Sequence, residues 1–193
     1  MLSLKERIDL LENDLKVNPP RISVYHDLPF AILRYDPHEE WILRREVRFL
    51  STRLKSSGKE IVTISLAQLL WEIIESAEGV DAIIDLERRR GFEKAQAQIT
   101  TYLSDENWFV LPKYLADKMN GFDPRRTIVF LTRAASLSPA IYHLSKLLDE
   151  MQGQTQVPSI LFYPGSLEGA TGLRFMGMKD RDSLGNYRVK IYG

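Results

Sequence analysis

The sequence predicts a single α/β domain of three layers over residues 1–193, with helices flanking a mostly parallel central sheet. One strand–helix–strand unit carries this prediction. Thr127–Thr132 is a continuous apolar run, which is typical of a parallel strand buried on both faces. A helical pattern follows from Ser138 to Gly153, and Ile160–Tyr163 forms a second apolar run. Because two parallel strands need a crossover between them, these three segments predict one such unit.

The first part of the chain predicts a helix followed by two extended segments. Residues 1–18 predict an amphipathic helix, since Ser3 and Glu6 have the spacing of a capping box. The apolar stripe of this helix comprises Leu4, Ile8, Leu11 and Leu15. Ile22–Tyr25 and Phe30–Tyr35 predict extended segments separated by a turn.

A second helix, a strand and a third helix are predicted next. Asp36 is a suitable helix cap, and Pro37 stands at the first helical position. The buried face of this helix is predicted to comprise Leu43, Val47, Leu50 and Leu54. Gly58 predicts its end, Ile61–Ile64 predicts a short strand, and Ser65 begins another helix with capping-box spacing.

Residues 76–121 predict a helical insertion between two strands. The helices are predicted at Val80–Arg90, Phe92–Leu103 and Trp108–Met119. Near the C-terminal end, Tyr187–Tyr192 alternates polar and apolar residues, which predicts a hairpin or an edge strand.

Composition limits the classes of function. The chain has 26 basic and 26 acidic residues, so net charge does not indicate DNA contact, although a local basic face remains open. The sequence has no cysteine, which excludes disulfides and thiolate chemistry and suits a reducing compartment. The charged N-terminal segment lacks a secretory signal core, and no apolar run is long enough for a membrane span. We therefore expect a cytoplasmic protein with no membrane contact.

Motifs for catalysis, cofactors or metals are missing from the sequence. The Gly58-Lys59 pair is followed by Glu60 instead of Ser or Thr, so a P-loop is not predicted. No amphipathic helix follows Gly165, Gly169 and Gly172, which favours turns over an anion-binding nest or a dinucleotide site. The three histidines, His26, His38 and His143, lack metal-ligand spacing. We predict no catalytic, cofactor-binding or metal-binding residues, no cofactor, and no enzyme activity.

Two segments are candidates for a partner interface. The loop after the last buried strand is one, because binding groups usually follow the carboxyl ends of parallel strands. The arginine run before Gly91 is the other, although the helix dipole alone could account for cations there. The candidate residues are Arg88, Arg89, Arg90, Tyr163, Ser166, Glu168 and Arg174. A second arginine group, Arg44, Arg45 and Arg48, has acidic neighbours, so a solvated ion-paired face is the favoured interpretation.

One family pattern extends over six stretches of the chain, which are Arg21–Ile32, Leu86–Phe92, Thr100–Ser104, Leu148–Gly153, Leu161–Gly169 and Gly185–Gly193. Together these stretches resemble the BrxB proteins of bacterial BREX (bacteriophage exclusion) defence systems. The resemblance implies a component of a phage-defence system that acts with a PglZ-like protein of the alkaline-phosphatase superfamily, and it supplies no catalytic residues. It favours an adaptor or assembly subunit. A nucleic-acid-binding subunit and a degenerate nucleotide-binding domain are the alternatives.

Overall fold

Five parallel strands form the centre of the protein. A computed structural model describes residues 2–23, 28–169, 172–178 and 185–193. The strands are β1 (Phe30–Tyr35), β2 (Glu60–Ser65), β3 (Thr127–Thr132), β4 (Ser159–Glu168), β5 (Gly172–Phe175), β6 (Gly185–Asn186) and β7 (Lys190–Tyr192). The parallel path has the order β2-β3-β4-β1-β7, while β5 pairs antiparallel with β4 and β6.

Helices connect the strands and cover both faces of the sheet. They are α1 (Leu4–Lys16), α2 (Glu40–Ser56), α3 (Leu66–Ala77), α4 (Val80–Arg90), α5 (Phe92–Ser104), α6 (Leu111–Met119), α7 (Ser138–Ile141) and α8 (Leu144–Glu150). Short 3₁₀ turns precede α2 and follow β3. A parallel sheet between two helical layers confirms the predicted α/β class.

The two faces of the sheet belong to two separate apolar cores. In β4, Ile160 and Phe162 face the core that α1 and α2 cover. Leu161 and Tyr163 face the core that α3 to α8 cover. Side chains that alternate in this way have the period of two expected of a strand. Because helices cover both faces of the sheet, its central strands are apolar at nearly every position.

The helix ends in the first half follow the predicted capping signals. Ser3 and Glu6 form a reciprocal capping box at the start of α1. Asp36 caps the turn that leads into α2, and Ser65 accepts a hydrogen bond from the backbone N–H of Gln68 at the start of α3. Gly58 follows α2 with a φ of 86°, a conformation that glycine adopts without strain. The predicted segment Ile22–Tyr25 lies partly outside the described residues, as does His26.

The predicted helix between Ser138 and Gly153 is wrong in one respect, because it is two helices. The chain breaks at Tyr142 and His143, and His143 has the extended backbone of a cap residue instead of a mid-helix position. At this break the carbonyl of Ile141 accepts a hydrogen bond of 3.0 Å from the Thr100 hydroxyl on α5. A contact between distant segments therefore satisfies a backbone group that a continuous helix would have used.

The predicted loop at Pro164-Gly165-Ser166 is wrong as well, since β4 continues through it to Glu168. Ser166 pairs with Arg174 across the β4–β5 hairpin. A side chain at Gly165 would collide with the carbonyl of Arg174, so glycine is needed for close approach of the two strands. The helix predicted to begin at Trp108 begins at Leu111. The predicted edge strand is confirmed, because β7 lies parallel to β1 at the edge of the sheet.

Candidate functional site

A cleft opens where the connections from two adjacent strands leave the sheet in opposite directions. The chain after β1 turns to the face covered by α2, whereas the chain after β4 turns to the opposite face, where Leu173 and Phe175 are buried. Ligands of open α/β sheets bind at such points, outside the carboxyl ends of the strands. The cleft has a volume of about 630 Å³. We call it the α2 cleft.

The α2 cleft has side chains from four strands and one helix. Tyr35, Thr63, Thr132 and Phe162 approach it from β1 to β4, and Arg133 follows β3 directly. The α2 side chains that line it are Glu40, Trp41, Leu43, Arg44, Val47, Arg48, Ser51 and Thr52. Aromatic rings, hydroxyl groups and three guanidinium groups therefore surround one space.

The charge of the cleft is positive on balance. Glu40 is the carboxylate that lines it, and one oxygen of Glu40 accepts a hydrogen bond of 2.7 Å from Arg44. The other oxygen of Glu40 accepts from the Tyr35 hydroxyl. In the described part of the chain, neither Arg48 nor Arg133 forms an ion pair. Two of the guanidinium groups at the cleft thus have no ion-pair partner among the described residues.

Charged groups of the cleft influence the Tyr35 hydroxyl. Burial raises the pKa of Tyr35, and the hydrogen bond to Glu40 raises it further. Arg44 and Arg133 act in the opposite direction and lower the pKa of the same phenol. Both guanidinium groups are therefore close enough to Tyr35 to influence it, although Arg44 comes from α2 and Arg133 from the end of β3.

Arg133 has an unusual backbone conformation. Its φ of 61° and ψ of 35° lie in the left-handed region, which costs a residue other than glycine about 1–2 kcal/mol. Strained residues of this kind are concentrated at functional sites. Its side chain lines the α2 cleft and also a second, more open cleft on the other side of the sheet end.

The second cleft contains a paired carboxylate. Glu72 on α3 accepts hydrogen bonds from Lys118 at 2.8 Å and from Tyr114 at 3.0 Å, both on α6. The bond from Lys118 is the main cause of the lowered pKa of Glu72. Since these bonds join two helices, the cluster ties α6 to α3.

The predicted residues of the C-terminal segment lie together on the β4–β5 hairpin but differ in exposure. Tyr163 is buried at 1% exposure and makes edge-to-face contacts with Phe175 and Tyr187. Arg174 forms an ion pair with Glu168, while Ser166 is exposed. The structure therefore gives Tyr163 a packing role in the core, and the contribution of this hairpin to an interface stays a prediction.

The predicted arginine run lies on a different element. Arg88, Arg89 and Arg90 are exposed in the last turn of α4, which packs chiefly against α5. Arg88 and Arg89 share one carboxylate, that of Asp85, at 3.9 and 3.2 Å. Within the described ranges Arg90 has no ion pair. The two groups of predicted residues therefore lie on different elements, the arginine run on α4 and the others on the β4–β5 hairpin.

Sequence reasoning did not single out Tyr35, Trp41 or Arg133. One signal was available for Arg133, because it directly follows a predicted parallel strand. The interpretation of Arg44, Arg45 and Arg48 as an ion-paired face fits Arg44 and Arg45, which pair with Glu40 and Glu46, but it does not fit Arg48.

The described residues contain no group of three histidine or acidic side chains arranged to hold a metal ion. None of their helices combines the length and apolar character that a bilayer crossing requires.

Comparison with known proteins places the chain in a family. The family model of the BREX protein BrxB matches residues 62–191, from β2 to β7. A "BREX protein BrxB" of Bacillus cereus (strain H3081.97) is 28% identical over 158 residues, which cover 80% of this chain and 80% of that protein. No solved structure matches the chain. Because the family model covers more than half of the sequence, the chain belongs to the BrxB family and is a component of a BREX phage-defence system.

Proposed function

We propose that this protein is a non-catalytic adaptor that binds another BREX protein in the cytoplasm, with residues 1–193 acting as one domain. The partner that we propose is the PglZ-like protein of the system. One observation carries the proposal: apolar and cationic side chains are exposed together at the corner between α4 and α5. Phe92 is 65% exposed and Ile84 is 39% exposed, on either side of the arginine run in the chain.

The chemistry of this corner is that of a protein interface. Aromatic and arginine side chains contribute most of the binding energy in many complexes. Gly91, with a φ of 86°, ends α4 and lets α5 begin at once, so only this glycine separates Phe92 from the arginines. Asp85 offsets only part of the positive charge of the run. The surface therefore suits a partner with an apolar depression beside carboxylates.

Co-purification from cells that express the complete BREX gene set tests the proposal. The tagged wild-type chain is expected to recover the PglZ-like protein. Phe92→Ala should reduce recovery about tenfold, as loss of a central aromatic contact does in other complexes. The triple variant Arg88→Glu, Arg89→Glu, Arg90→Glu should abolish recovery, because it reverses the charge of the surface.

Two matched variants control for general effects. Trp71→Ala removes an aromatic side chain of similar exposure, 55%, from α3. Arg45→Glu reverses an exposed charge on α2. Both should recover the partner as the wild type does, and all variants should keep the wild-type circular dichroism spectrum. Recovery of no BREX protein by the wild type, or equal recovery by every variant, would refute the adaptor function at this surface.

A further inference from the structure

The α2 cleft combines positive charge with the size of a ligand site. Its volume of about 630 Å³ falls within the range of small-molecule sites, which is roughly 300–1,000 Å³. Arg48 and Arg133 both line it, Arg48 from α2 and Arg133 from the position directly after β3. Since Glu40 is engaged by Arg44 and Tyr35, it does not neutralise the two other guanidinium groups. Charge of this kind attracts an anion, and guanidinium groups match phosphate oxygens in geometry.

Aromatic side chains provide a second type of contact at the same place. Trp41 lines the cleft, yet it is 76% exposed, the largest exposure of any large apolar side chain in the described part of the chain. The Arg44 guanidinium lies 4.5 Å from the centre of the Trp41 ring, so one side of this side chain already has a cation beside it. Exposed aromatic rings next to arginines are the groups on which nucleobases stack.

Hydroxyl groups complete the lining. Ser51 on α2, together with Thr63 and Thr132 on the sheet, brings donors and acceptors to the lining of the cleft. Hydroxyl groups hydrogen-bond to phosphate oxygens and to sugar hydroxyls. The cleft thus offers partners for a phosphate, for a sugar and for a planar base.

We propose that the α2 cleft binds a nucleoside phosphate, with Arg48 and Arg133 at the phosphate and Trp41 against the base. The ligand is either a free nucleotide or one nucleotide of a single strand, because both present the same groups. This site differs from a P-loop, since side chains and not a glycine-rich backbone supply the positive charge. It lies on α2 and the strand ends, so it does not depend on the surface at α4 and α5.

Isothermal titration of the purified chain with ATP, with a twelve-residue oligothymidine and with inorganic phosphate tests the proposal. ATP or the oligonucleotide is expected to bind more tightly than phosphate alone. The double variant Arg48→Ala, Arg133→Gly should weaken this binding by about tenfold or more, because each lost group hydrogen-bonds to a charged oxygen. Trp41→Ala should weaken ATP or oligonucleotide binding and leave phosphate binding unchanged.

Arg45→Ala is the matched control, since Arg45 lies on the same helix and does not line the cleft. It should bind as the wild type does. Tighter binding of the oligonucleotide, with a steep loss between about 50 and 200 mM salt, identifies a single strand as the source, whereas preference for ATP identifies a free nucleotide.

Three results would overturn the proposal: no heat of binding for any of the three probes, an affinity for phosphate equal to that for both ATP and the oligonucleotide, or equal losses in the Arg45 control and the double variant. The double variant should still recover the BREX partner in the co-purification experiment. Failure of the adaptor function and failure of the nucleotide site can therefore be told apart.

Discussion

At the scale of single residues, Arg133 combines a backbone cost with an exposed charge. Two residues other than glycine have a positive φ in the described part of the chain, Arg133 and Met176. The backbone of Arg133 turns sharply between the end of β3 and the following 3₁₀ turn. Glycine would adopt this conformation without the clash between Cβ and carbonyl oxygen that an arginine experiences.

Two substitutions at Arg133 separate the backbone effect from the side-chain effect. Arg133→Gly and Arg133→Ala both remove the guanidinium, but only glycine relieves the left-handed strain. Relief of the strain stabilises the glycine variant, whereas the greater entropy of glycine in the unfolded chain offsets part of this gain. We therefore expect its free energy of unfolding to be about 0.5–1 kcal/mol higher than that of the alanine variant. Urea unfolding of both proteins measures the difference. Equal midpoints would show that the backbone at this position bears no such strain.

At the scale of elements, two carboxylates connect α1 to distant parts of the chain. Glu12 pairs with Arg53 of α2 at 2.6 Å. Asp14 accepts hydrogen bonds from Lys190 at 2.5 Å and from Tyr192 at 2.6 Å, both on β7. Leu4, Ile8, Leu11 and Leu15 form the buried apolar face of the helix. The first helix is therefore attached both to its neighbouring helix and to the edge strand.

Asp14 makes this attachment dependent on pH. Burial would raise the pKa of Asp14, but the hydrogen bonds from Lys190 and Tyr192 lower it on balance. An acid whose pKa is lowered by folding stabilises the protein above its unfolded pKa of about 3.9, and this contribution is lost as the pH falls through the folded value. Asp14→Asn should lower the free energy of unfolding by about 1 kcal/mol at neutral pH.

The difference between wild type and Asp14→Asn should shrink as the pH falls below about 4, because the wild-type carboxyl becomes neutral as well. Urea unfolding at several pH values measures this convergence. Asp9→Asn is the control, since Asp9 is exposed on the same helix, and its effect should be small at every pH. A difference that stays constant across the acidic range would contradict the role of the Asp14 charge.

Most elements could be predicted because their signals are local. The capping box at Ser3 and the apolar run Thr127–Thr132 depend on neighbouring residues alone. The break after Ile141 could not, since its carbonyl bonds to Thr100, far away in the sequence. The continuation of β4 beyond Pro164 depends on pairing with β5, which periodicity does not reveal.

At the scale of the whole molecule, several tyrosine hydroxyls donate hydrogen bonds to carboxylates in different parts of the structure. Tyr102 donates to Glu78, Tyr142 to Glu150 and Tyr192 to Asp14. Every tyrosine in the described ranges has a pKa raised first of all by burial. For Tyr102 and Tyr187 the raised pKa is about 12. The folded protein thus holds these protons more tightly than the unfolded chain does.

Raised tyrosine pKa values predict cooperative unfolding in alkali. Stability from these groups is complete below the unfolded pKa of about 10 and is lost as the pH rises above it. Phenolate absorbance should therefore increase together with the loss of the far-ultraviolet circular dichroism signal. An acetylated tyrosine amide in the same buffers provides the spectrum of a free phenol. Ionisation of most tyrosines while the helical signal stays intact would contradict the burial.

The α2 cleft could be predicted only in outline from the sequence. Its place follows from the rule for parallel strand ends, but its members come from β1, α2 and the residue after β3. Whether Arg48 has a counter-ion depends on which face of α2 packs against the sheet. The net charge of the chain does not reveal this orientation. Only the folded chain brings Arg48 and Arg133 to the same cleft.

The position of β1 in the sheet has a consequence for biosynthesis. Phe30 pairs in register with Ser159, and Ala31 with Lys190, so both neighbours of β1 are translated long after it. A ribosome-bound chain consequently exposes the apolar segment Phe-Ala-Ile-Leu with unpaired backbone groups for most of its synthesis. Until β4 emerges, we expect this nascent strand to be a substrate for molecular chaperones.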